Sequence, residues 1–130
     1  MNPDVFRLAI AGIVGAHGIG HVMGWLPALG VARIEGASIR SWLLTDLVGD
    51  SLSRAVCGVV WLAPTVGFIV AAGGLFGDQT WWRPVAMASA VVSFLAIALF
   101  WEALPVFSRI GAVAVNLAVV AAVATQWSPA

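Results

Sequence analysis

Three stretches of this chain, residues 55–77, 85–101 and 110–127, contain no charged residue at all. A helical membrane crossing takes about 20 predominantly apolar residues. Each stretch is therefore of the right length, the middle one once residues 102–105 extend it. Residues 5–25 form a fourth, less pure span, because they hold Arg7, His17, His21 and five glycines (Gly12, Gly15, Gly18, Gly20, Gly24). Over the whole chain, 62% of the 130 residues are hydrophobic and 9% are charged. Soluble domains carry roughly 45–50% and about 25%, so a solvated globular surface is out of reach. Soluble enzymes and disordered tails are excluded. The formal net charge of zero leaves no basic footprint for nucleic acid. The single cysteine, Cys57, permits neither an internal disulfide nor a cysteine metal cluster. The sequence predicts an all-α fold: an integral membrane four-helix bundle, one transmembrane domain over 1–130, with spans at about 5–25, 55–77, 84–104 and 109–127.

Punctuation supports these limits. Pro27 closes the first span, and Asp78-Gln79-Thr80 makes a polar turn. Pro84 suits a first helical turn, where its missing N–H is not needed. Pro105 ends the third span and Ser108 is a candidate N-cap for the fourth, while Pro64 falls inside the second and predicts a kink. Trp81, Trp82 and Trp127 mark one interface and Trp25 and Trp101 the other; Trp61 lies deeper. A net-neutral start and the two histidines argue for a retained first helix over a cleaved signal peptide. The long connection after it carries Ile39, Trp42, Leu43 and Leu47 at helical spacing. Between Ser38 as cap and Gly49 as stop, this predicts a short amphipathic helix over about 38–49, on the membrane surface or lidding the bundle. Arg33, Arg40, Arg54 and Arg109 on the loop side, against Arg7 and Arg83, place the N-terminus outside.

Ionisable groups inside a bilayer are costly and normally face the protein interior. The topology sends several toward one half of the membrane. His17 and His21 lie one turn apart on one helical face, with Asn116 near the depth of His17. Glu102, Arg54 and Arg109 lie nearer the level of His21, and Ser89 and Ser93 further toward the opposite side. Four readings of the histidines stand open. They are ligands of a zinc ion with Glu102 as third donor, axial ligands of haem shared with another subunit, hydrogen-bonded interior residues paired with Asn116, Glu102 or backbone carbonyls, or acid–base groups. In the last reading His21 and Glu102 are the catalytic pair, and His17 and Asn116 orient a substrate. Glu102 is alternatively an interfacial partner of Arg109. Arg54 and Arg109 are interfacial anchors or bind an anionic head group. Trp61 and Trp101 complete the candidate ligand-binding residues. Gly20-x-x-x-Gly24 offers a smooth strip for close helix contact.

The string His17-Gly18-Ile19-Gly20-His21-Val22-Met23-Gly24-Trp25 resembles the first-helix signature H-G-x-x-H-x-x-G-aromatic of small bacterial four-helix membrane proteins, broadly DoxX-like. Arg54 with Trp61-Leu62, the Trp101-Glu102 pair and the stretch from Gly111 to Asn116 extend the resemblance to all four helices. The loop from Ala32 to Asp50 is longer than that pattern. The resemblance implies a bacterial cytoplasmic membrane and a site around the histidines, and no reaction.

Together these features predict a small membrane protein that binds a hydrophobic ligand or serves as an accessory subunit of a membrane complex. The rivals are a membrane-embedded isomerase, cyclase or hydrolase acting on a lipidic or isoprenoid substrate, and a haem- or metal-binding subunit. Implied partners are the lipid bilayer, a lipidic small molecule, and another copy or a larger complex.

Overall fold

The computed structural model describes residues 2–127, and among these there is helix and turn but no strand. In chain order the helices are α1 (Pro3–Gly20), α2 (Val22–Ala28), α3 (Leu44–Val48), α4 (Asp50–Phe76), α5 (Trp82–Leu99) and α6 (Val106–Ala124). Four segments, Pro3–Ala28, Asp50–Phe76, Trp82–Leu99 and Val106–Ala124, are long and apolar enough to cross a membrane.

Local chemistry sets the boundaries. Asn2 Oδ1 accepts from the Asp4 N–H at 2.9 Å, with Pro3 at the first helical position. Among the weak helix formers Gly18 and Gly20, the His21 N–H turns back to Gly18 O at 3.1 Å. That short step separates α1 from α2. Gly49, at φ +86° and ψ 164°, links α3 to α4 in a conformation that is essentially glycine's alone. Gly49→Ala is expected to lower stability by about 1–3 kcal/mol, read from thermal unfolding in detergent by circular dichroism.

α4 is the hub. It packs against α1, α2, α3 and α5, and α6 packs along α5, while α1 and α6 share no extended packing. The four long helices thus follow one another as an arc α1–α4–α5–α6, whose ends meet through side chains such as Phe6 and Trp127, ring centroids 5.8 Å apart. Two apolar cores lie along it. One contains Ala11, Val14, Phe68, Leu75, Trp82 and Val119. The other contains Cys57, Trp61, Ile97, Phe100, Leu104 and Ala112. Between them the sequence inserts buried His21, Ser93 and Asn116.

Several expected boundaries are corrected. The third span stops at Leu99, because Phe100 leaves helical geometry at φ −122° and ψ 58°; Trp101 to Leu104 form a turn. The second begins at Asp50, and its 27 residues run through Pro64 without interruption. The fourth starts at Val106, so Ser108 lies inside its first turn instead of capping it. The amphipathic helix over 38–49 shrinks to Leu44–Val48. Ser41, not Ser38, supplies the hydroxyl that accepts from the Leu43 and Leu44 N–H groups, at 3.3 and 3.0 Å. The preceding residues are not helical and are tied to the end of α5: Trp42 Nε1 donates to Ala98 O at 2.7 Å, and the Ser38 N–H to Glu102 O at 2.7 Å. Trp25 turns inward as well, its Nε1–H donating to Thr65 Oγ1 at 3.1 Å.

Candidate functional site

The site begins with the backbone step at His21. In an unbroken helix the His17 carbonyl would take the His21 N–H. Because that N–H goes to Gly18 O, the carbonyl is left for the imidazole, and His21 Nδ1 donates to it at 2.8 Å. Three further bonds close a ring. His21 Nε2 lies 2.7 Å from Ser93 Oγ, Asn116 Nδ2 donates to Ser93 Oγ at 2.7 Å, and Asn116 Oδ1 lies 2.9 Å from His17 Nε2. Three segments meet here: α1 and the step after it bring the histidines, α5 the serine and α6 the asparagine. Aromatic rings wall the ring of bonds. Phe68 stands edge-on to His17 at 4.7 Å, and Trp61 is tilted against His21 at 5.6 Å. His21 is 2% exposed, and Ser93 and Asn116 are 0% exposed.

One carbonyl fixes the direction of every bond. A carbonyl oxygen only accepts, so the hydrogen of His21 sits on Nδ1. No carboxylate contacts either ring among the described residues, and an unpaired buried charge is costly, so each imidazole carries one N–H. His21 Nε2 is then an acceptor and Ser93 O–H donates to it. Ser93 Oγ in turn accepts the Asn116 amide N–H, which leaves Asn116 Oδ1 to accept from His17. The hydrogen of His17 is therefore on Nε2. Its other nitrogen, Nδ1, has a bare lone pair, no partner among the described residues, and is not enclosed by protein.

His17 is half-buried because it borders a cleft of about 300 Å³ in the open seam of the arc. Ile13, Gly20, His21 and Met23 form one wall; Leu104, Ser108, Gly111 and Val115 form the other. No charged residue lines it. A Cβ added at Gly20 or at Gly111 would meet nothing within 4 Å, so both glycines leave space that the protein does not use. Gly24 behaves oppositely, since a Cβ there would overlap Cγ and Cδ2 of Trp61. The Gly20-x-x-x-Gly24 strip is thus divided by the step at His21: one glycine opens the cleft, the other seats an indole.

His17, His21 and Asn116 are brought together; the remaining candidates lie elsewhere. Glu102 is exposed in the turn after α5, and both nitrogens of His21 are already engaged, so the structure forms no His21–Glu102 pair. Glu102 does not pair with Arg109 either. Arg109 donates to Leu104 O at 2.9 Å and stacks on the exposed Trp101 ring at 4.5 Å, which holds both at that end of the protein. Arg54 is exposed near the start of α4, beside a separate hollow that Arg33 also borders. Trp61 is fully buried behind the cleft wall, its Nε1–H without a partner among the described residues.

Nor do the histidines converge on a metal. Each Nε2 is committed to a side chain of another helix, and Nδ1 of His21 to a carbonyl. Among the described residues no three His, Cys, Asp or Glu side chains group as a metal site would require. Ser93 was missed as a participant: sequence reasoning set it closer to the opposite side. Its signal was periodicity, because Ala86, Ser89, Ala90, Ser93 and Ala96 form the buried face of α5 at helical spacing. Comparison with protein-family models, with curated proteins and with solved structures gives no match.

Proposed function

We propose that the chain crosses a membrane four times and holds a hydrophobic small molecule in the seam between α1 and α6. The observation that carries this reading is the cleft itself. It is apolar and uncharged, it is lined by two glycines whose missing side chains leave it open, and it is bordered by His17, whose Nδ1 has no partner among the described residues. Its volume of about 300 Å³ lies at the lower end of ligand sites. In this reading the exposed apolar residues of α6, among them Phe107 at 90% and Ile110 at 61%, face acyl chains. A ligand then reaches the seam sideways from the bilayer. The polar ring behind the cleft is its scaffold: it ties α1 to α5 and α6 across the gap that backbone packing leaves.

The test is to fill the space. Gly111→Leu adds a side chain where no protein atom lies within 4 Å of the new Cβ, so the fold is expected to survive. Mass spectrometry of protein extracted gently into nanodiscs is expected to find an apolar molecule with the wild type. In Gly111→Leu its amount is expected to fall at least about tenfold, since the four added carbons take about 120 Å³ of the cleft, at about 30 Å³ each, and stand in the middle of one wall. Equal amounts in the two proteins would contradict the reading.

A further inference from the structure

We propose that the molecule held in the α1/α6 cleft is a lipid carrying a hydroxyl group, and that its O–H donates to Nδ1 of His17. This rests on the binding reading above and adds the chemistry of the ligand. The bond directions decide it. With its hydrogen on Nε2 and given to Asn116 Oδ1, His17 has nothing to donate into the cleft and one lone pair to offer. At His17 a ketone, aldehyde, ether or ester oxygen finds no donor. A hydroxyl does, and its hydrogen would otherwise be left unpaired in an apolar environment, which is costly.

Other features narrow the class. No arginine or carboxylate lines the cleft, so a fatty-acid carboxylate or a phospholipid head group gains no charge partner. Ser108, the one hydroxyl on the wall, lies eight positions before Asn116 on α6, about 12 Å along the axis, too far to share one oxygen with His17. At about 30 Å³ for each small non-hydrogen group, 300 Å³ accommodates on the order of ten carbons. A medium-length alkyl or isoprenoid alcohol, or the hydroxyl end of a longer one, fits.

The experiment uses the wild-type chain in nanodiscs with a diazirine-bearing decanol as photoprobe. Unlabelled 1-decanol, decyl methyl ether and decanal are the competitors. One hydrogen bond in an apolar site separates donor from non-donor by about tenfold. The expected result is that decanol competes about tenfold better than the ether or the aldehyde, and that decanol alone moves the ring ¹⁵N resonance of His17 Nδ1. If the three compete equally, while Gly111→Leu abolishes labelling, recognition of a hydroxyl is refuted and binding in the cleft stands. A preference for decanal would place the ligand on Ser108 and equally refute it. Labelling that persists in Gly111→Leu, or a crosslink to a second copy lying over the seam, would overturn the cleft reading and this proposal with it.

Discussion

Asn116→Leu is expected to destabilise the protein by about 2 kcal/mol and to loosen α6 from α1. Leucine keeps the branching of asparagine and is the bulkier of the two, so a cavity is not the cause. The loss is polar. The His17 Nε2–H loses its acceptor, and Ser93 loses the amide donor that turns its hydroxyl toward His21. Interhelical hydrogen bonds in membranes average about 0.6 kcal/mol, whereas an orphaned buried donor costs about 1–3 kcal/mol. The second effect dominates here because Asn116 is fully enclosed and no nearby side chain can replace it. It follows that His17→Phe combined with Asn116→Leu costs less than the sum of the two single changes, by about 1 kcal/mol. Removing both partners leaves no orphan between them. Reversible unfolding in mixed detergent micelles measures both quantities; strict additivity would show that the two side chains act independently.

The second large effect falls on Gly24. Its α-carbon lies against the face of Trp61, and any β-carbon there overlaps the indole. Trp61 cannot yield, being fully buried among Cys57, Ile97, Phe100 and Leu104. Gly24→Ala is therefore expected to cost about 1–3 kcal/mol, in the range of an overpacked core, and Gly24→Leu more. Gly20→Ala, four residues earlier on the same strip, is expected to be neutral or slightly stabilising: its Cβ meets nothing and alanine is the better helix former. Thermal unfolding of the three variants in one detergent gives the comparison. Equal loss at Gly20 and Gly24 would mean that both glycines serve the same helix contact.

The architecture was legible in the sequence because it follows from apolar length alone. Runs of about 20 uncharged residues have few alternatives to a helix, and the four candidate spans emerge within a few residues of where the hydrophobic runs place them. Boundaries set by single torsions were not legible. Phe100 ends α5 five residues before Pro105, the obvious stop, and nothing in the residue type announces it. The loop after α2 shows helical spacing at Ile39, Trp42, Leu43 and Leu47, yet only Leu44–Val48 is helical. Its upstream half is held out of helix by bonds to Ala98 O and Glu102 O, contacts with the distant end of α5 that a local pattern does not encode.

The site divides the same way. His17 and His21 are marked by their cost in an apolar span, and Asn116 by its isolation in α6. Ser93 is cheap enough in a helix to carry no such mark. Glu102 was drawn to His21 by counting turns along straight helices. That count fails because α5 ends before Glu102, which lies in the exposed turn beyond it.

Ring-nitrogen NMR of the two histidines in nanodiscs tests the central claim most directly, since the closed ring demands opposite tautomers one turn apart. With ¹⁵N-labelled histidine, the account predicts the proton of His21 on Nδ1 and that of His17 on Nε2. Asn116→Leu should perturb the signals of both rings. Two histidines found with their protons on the same type of nitrogen, or averaging freely between the two, would contradict it.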